Sequence, residues 1–239
     1  MSDKKRFLIK VCGVRDEENI RQLLALDIDM IGFVFCTDSP RYVQMISSMA
    51  GIIPDYSRDR YQKQCGTLTE TDDDMNRIKR VGVFSDDMPQ NIITRIYNYN
   101  LDDVQLEGEE SPVMIDNLRR SVDPDIRAGI KIIKTISVAS AADLEQCKAY
   151  EGHADLLRFT AKCEDNDREE NKFDWSLLNA YEGKLPFLLS GDIGLEDTER
   201  VRKFQHPMCI GIEVNSRFET VPGMKDVNLL KRFIAEVRR

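Results

Sequence analysis

Residues 7–35 read FLIKVCGVRDEENIRQLLALDIDMIGFVF, and this stretch sets the architecture. Phe7–Val11 is a short apolar run, too short for a buried helix, and Met30–Phe35 is a second run of the same kind. Between them Asp16–Leu26 opens on acidic residues and repeats isoleucine and leucine at helical spacing. Strand, helix and strand make one βαβ unit of about 30 residues. The pattern then recurs. Further apolar runs are Val81–Phe84, Asp103–Leu106, Ile130–Ile136, Asp155–Phe159, Phe187–Leu189 and Ile210–Val214. Helix-like segments separate them: Gln90–Asn98 after Met88-Pro89, then Ser111–Arg120, Ser140–Ala149, Trp175–Tyr181 and Leu195–Phe204. Val227–Arg239 is a last helix whose basic end suits its dipole.

Eight alternating units in 239 residues imply a parallel sheet. Their number points to an α/β chain closed as a (β/α)8 TIM barrel, a single domain over residues 1–239. A doubly wound open sheet is the alternative, but its G-x-G-x-x-G fingerprint is missing. Residues 50–74 read as a polar insertion in the second unit.

Charge and composition narrow the partners. The formal net charge is −8, which argues against nucleic acid and anionic membranes. No apolar run approaches the roughly 18 residues of a membrane span, and no signal peptide is visible, so a cytoplasmic protein is expected. Six cysteines, at 12, 36, 65, 147, 163 and 209, form no C-x-x-C pair and read as free thiols. Two histidines, His153 and His206, cannot build a three-histidine zinc site, and no metal or cofactor is expected. Both precede strands and fall at the bottom of the barrel, where a structural role suits them. Glycine is scarce: 13, against roughly 17 at average usage.

A barrel of this kind builds its site at the C-terminal strand ends. Those ends are Lys10-Val-Cys12-Gly13, Phe35 onward to Ser39-Pro-Arg41-Tyr42, Gln105-Leu-Glu107-Gly108, Lys134-Thr-Ile136, Phe159-Thr160, Ser190-Gly191-Asp192 and Glu213-Val-Asn215-Ser216.

With Val81-Gly-Val-Phe84, Phe173-Asp-Trp-Ser-Leu-Leu178, Asn215-Ser-Arg-Phe-Glu219 and Pro222-Gly-Met-Lys-Asp226, these segments resemble the phosphoribosylanthranilate isomerase family of tryptophan biosynthesis. The resemblance runs in order along nearly the whole chain. It implies an Amadori rearrangement of a phosphorylated sugar–anthranilate, with a cysteine base after strand 1 and an aspartic acid after strand 6. The cysteine carries over to Cys12, whose thiolate would take the C2 proton, with Lys10 helping to lower its pKa. Arg41 would meet the anthranilate carboxylate. Lys10, Gln105 and Arg158 complete the substrate-binding set, and Gly191, Asp192, Asn215 and Ser216 the phosphate-binding set.

The mouth also departs from the family. The acid position falls on Thr160, whose hydroxyl cannot act as an acid near pH 7. Asp155 is five residues earlier, roughly 16 Å down the strand and on its other face. The family's Gly-Gly-Thr-Gly-like loop is replaced by Cys163–Asn171, which has no glycine, and a phosphate-cradle glycine by Asp192. The family histidine after strand 4 falls on Glu107, and its strand-8 aspartate on Glu213. Arg158 replaces an apolar residue on the inward face, so it is expected to pair with Glu107 or Glu213, or else to reach solvent at the rim. Three functions stay open: an isomerase using Glu107 or Glu213 as acid, a catalytically silent barrel binding another ligand or a protein partner, and an enzyme on a non-phosphorylated substrate.

Overall fold

The computed structural model describes residues 6–47, 78–162 and 173–239. The expected insertion at 50–74, the loop Cys163–Asn171, and Cys65 and Cys163 lie outside the described residues. Eight parallel strands close into a barrel in sequence order: β1 (Leu8–Val11), β2 (Met30–Val34), β3 (Lys79–Phe84), β4 (Asp103–Leu106), β5 (Lys131–Val138), β6 (Leu156–Ala161), β7 (Phe187–Leu189) and β8 (Cys209–Val214). Closure is made by β1 on β8, with Lys10 beside Glu213 and Val11 beside Val214.

The strand runs work because each strand is covered on both faces. Odd residues of β1 and β2, such as Ile9, Val11, Ile31 and Phe33, pack into the main core shared with the helices. On the inner face Met30, Val81, Ile133, Leu156 and Leu188 form a separate apolar floor. Leu156, Arg158 and Thr160 share one face of β6, as Leu8, Lys10 and Cys12 share one face of β1. Polar residues therefore enter the barrel one step above an apolar layer.

The α-helices are α1 (Glu17–Leu24), α2 (Pro89–Tyr99), α3 (Pro112–Val122), α4 (Thr198–Lys203) and α5 (Val227–Val237). Asp16, Ser111 and Asp226 cap α1, α3 and α5, each accepting from a first-turn backbone N–H. Two segments expected to be helical are 3-10 helices instead, Ala141–Tyr150 and Trp175–Ala180. Their core-facing residues explain this. Leu144, Cys147 and Tyr150 recur every third residue, as do Trp175, Leu178 and Tyr181, which is the 3-10 period. Leu195–Phe204 likewise begins with a 3-10 turn, Leu195–Asp197, before α4.

A hairpin that the strand count did not anticipate follows β8: β9 (Glu219–Val221) against β10 (Met224–Lys225). It turns at Gly223, whose φ of +87° suits glycine. Asn19 on α1 locks it to the start of the chain: its Nδ2 donates to the Lys225 carbonyl at 2.8 Å, and the Lys225 N–H donates to its Oδ1 at 2.8 Å. Asn19→Leu strands both backbone groups in a buried place. It is expected to lower unfolding free energy by roughly 2–4 kcal/mol, read from denaturant midpoints.

Candidate active site at the barrel mouth

Five inward side chains from four strands form a closed ring of contacts. Lys10 Nζ pairs with Glu213 Oε2 at 2.6 Å and also donates to Gln105 Oε1. Gln105 Nε2 donates to Glu107 Oε1 at 2.9 Å. Arg158 Nη1 meets the same Glu107 oxygen at 3.1 Å, and its Nε lies 2.6 Å from Glu213 Oε1. The expected partner of Arg158 was either carboxylate; the structure gives it both. Lys10, Gln105 and Glu213 are buried, while Glu107 reaches the rim.

Formal charge in the ring sums to zero. Burial pushes the Glu213 carboxyl up, but the adjacent Arg158 and Lys10 charges outweigh it and hold the group at about 2. Glu213 is therefore held as the carboxylate near neutrality. Cys12 sits above the ring, in room left by Gly32, where a Cβ would come 2.7 Å from Sγ. Its thiol is raised to about 11, chiefly by burial and then by the Glu213 charge. Lys10 does lower it, as the sequence suggested, but the lysine charge is already met by Glu213.

A cavity of about 120 Å³ opens beside the ring. It brings together Arg158, Thr160, Gly191, Asp192, Glu213, Asn215 and Ser216. Asp192 holds φ +47°, a left-handed conformation that favours glycine. Its carboxylate is half exposed and 4.0 Å from Arg217 Nε, and Arg217 is shared with Glu196. A larger cavity of about 500 Å³ lies at the opposite end, among Arg6, Asp27, Asp29 and Lys79.

On the other flank the hairpin reaches Arg41. Glu219 takes Arg41 Nε at 2.9 Å and Nη2 at 2.6 Å, and accepts from Lys225 Nζ at 2.7 Å. Burial lowers the Lys225 pKa, with Glu219 opposing. Lys225 also donates to Asn215 Oδ1 at 2.6 Å. Arg41 and Asn215 close over Gly13, where a Cβ would meet Asn215 Oδ1 at 2.5 Å and Arg41 Cδ at 2.6 Å. Glu219 and Lys225 were given no role by the sequence reading. The Pro222-Gly223 turn signal was the available clue, since it folds both residues back onto strand ends.

The histidines sit away from the mouth: His206 Nδ1 accepts from the Met208 N–H, leaving Nε2 to donate to the Tyr181 carbonyl, and His153 meets Asp116. Among the described residues no cluster could hold a metal ion, and no helix is long and apolar enough to cross a membrane.

Polar side chains gathered at the C-terminal strand ends of a closed parallel barrel define a (β/α)8-barrel enzyme scaffold. Residues 9–236 match the model of the N-(5'-phosphoribosyl)anthranilate isomerase family, and the chain belongs to that family. It is 37% identical over 232 residues to N-(5'-phosphoribosyl)anthranilate isomerase of Parabacteroides distasonis, covering 97% of this chain and 93% of that one. It is 33% identical over 233 residues to the Phocaeicola vulgatus protein of the same name, covering 98% of each. The crystal structure of phosphoribosyl anthranilate isomerase from Thermotoga maritima is similar, with a TM-score of 0.69 at 26% identity, covering 97% of this chain and 98% of that one. So is an isomerase bound to reduced 1-(o-carboxyphenylamino)-1-deoxyribulose 5-phosphate, with a TM-score of 0.69, 24% identity and the same coverage.

Two outcomes follow from the site charges. A carboxylate held at about 2 contributes stability above its unfolded value near 4.5, and that stability is lost as pH falls toward 2. Glu213→Gln, which leaves Lys10 and Arg158 short of a counter-charge, is expected to cost about 3–5 kcal/mol at pH 7 and to flatten the acid limb of a pH–stability curve. Asp192→Gly removes a screened negative charge and a left-handed aspartate. It is expected to tighten binding of a phosphorylated product analogue roughly tenfold by calorimetry, or about 1.4 kcal/mol.

Proposed function

We propose that this chain carries out the aldose-to-ketose rearrangement of N-(5'-phosphoribosyl)anthranilate in tryptophan biosynthesis, slowly, with the base of the reaction kept and its acid missing. Family membership supports the substrate. One observation carries the slowness: each carboxylate lining the cavity or the ring already has a cation. Glu213 faces Arg158 and Lys10, Glu107 faces Arg158, and Asp192 faces Arg217.

The chemistry divides accordingly. Opening the sugar ring needs a proton delivered to the ring oxygen as the C1–O bond breaks, leaving a protonated imine, an iminium, between C1 and the anthranilate nitrogen. Thr160 offers a hydrogen bond at that wall but no acidic proton. Cys12, once ionised, takes the C2 proton, and the electron pair moves to give an enolamine that tautomerises to the aminoketose. A thiol raised to about 11 is almost wholly protonated at pH 7, so the base is also short of its active form. In binding, Arg41 presents Nη1 to the ligand carboxylate while Glu219 holds its other edge. The phosphate end goes to Gly191, Asn215 and Ser216, against the charge of Asp192.

A fluorescence assay of anthranilate-substrate turnover tests this. The expected kcat is about 10²- to 10⁴-fold below that of an isomerase with a carboxylic acid at position 160. Turnover should rise with pH above neutrality as the thiolate forms, and Cys12→Ala should abolish it. Undiminished turnover in Cys12→Ala, or none from the unmodified protein, would reject the assignment.

A further inference from the structure

We infer that Arg158 is a positioning residue that keeps any carboxyl on the β6 wall ionised, so that restoring an acid at position 160 requires removing Arg158 as well. The turnover part of this inference rests on the function proposed above; the electrostatic part does not.

Arg158 and Thr160 are two residues apart on β6, which puts both on one face, roughly 6.6 Å apart along the strand. Both line the same small cavity. The arginine is drawn inward by Glu107 and Glu213 and is held in its charged form by them, against the cost of burial. A carboxyl placed at 160 would therefore enter beside a fixed guanidinium. An opposite charge within a few ångströms favours the ionised carboxylate, the form that has no proton to give.

The sign reverses when Arg158 is removed. Glu213 and Asp192 line the same cavity as Thr160, Asp192 with Arg217 at 4.0 Å, and Glu107, just past β4, shares Arg158 with Glu213. Lys10 remains committed to Glu213. The ring then carries a net negative charge, and two carboxylates face a third. Like charges nearby favour the protonated form, which is the form that a general acid needs. Thr160 and Arg158 thus form a coupled pair. The loss of the acid and the arrival of the arginine are two parts of one electrostatic state.

The test compares Thr160→Asp, Thr160→Asp with Arg158→Leu, and Thr160→Asp with Arg158→Gln. The glutamine variant keeps hydrogen-bonding capacity without charge and serves where the leucine variant fails to fold. Carboxyl titration of the new aspartate, followed by carbon-13 NMR, is independent of turnover. It should fall below the ordinary carboxylate range with Arg158 present and move above it in either double variant. In the fluorescence assay Thr160→Asp alone should gain less than tenfold, and a double variant at least a hundredfold, with a new acid limb in its pH profile. Equal titration of the aspartate in all backgrounds overturns the inference. So does a single variant that turns over as fast as the doubles. Separated titrations with no turnover anywhere uphold the role of Arg158 and reject the isomerase reading instead.

Discussion

Two cations and two carboxylates meet at the mouth of this barrel, each paired with a group of opposite sign. Lys10, Glu213, Arg158 and Glu107 come from β1, β8, β6 and β4, with Gln105 bridging on β4. Glu213 is the group the ring cannot lose, since it alone pairs with both cations and is itself buried. The ring therefore ties the strand that closes the barrel to strands on its far side. It also sets the chemistry around it: the thiol above it stays protonated and the carboxylate within it stays ionised. Stability is a poor explanation for such a ring, since apolar residues of equal volume commonly serve as well or better. The apolar floor of Met30, Val81, Ile133, Leu156 and Leu188 already supplies packing inside the barrel.

The framework was open to reading because its signals are local. Short β-branched runs alternate with amphipathic segments, and each strand's alternation places its inward residues. That parity placed Arg158 inside the barrel and named its two partners in advance, since a buried guanidinium must find carboxylates. It meets both, because a guanidinium has two usable edges. What stayed hidden depends on distant parts of the chain. Arg41 and Glu219 are 178 residues apart, and their pairing exists because a hairpin folds back over the mouth. The effect of Lys10 on Cys12 was hidden for a related reason. A lysine two residues from a cysteine does lower its pKa, yet burial and the Glu213 charge outweigh it.

Family membership is carried by the length of the match, over residues 9–236. Identity of 37% to a relative over 97% of the chain carries the family. The charged strand-end side chains at this mouth pair with one another. The residual charge is unevenly spread. Arg41, Lys225 and Glu219 leave one net positive charge on the hairpin flank, while Asp192, Glu196 and Arg217 leave one net negative charge on the β7 flank. A ligand with an anionic carboxylate end and a neutral end gains by lying along that gradient. A ligand anionic at both ends gains at one and loses at the other. The glycine shortage has the same origin in part: at position 192 an aspartate occupies a left-handed conformation that glycine adopts freely, and its side chain brings the charge that tilts the field.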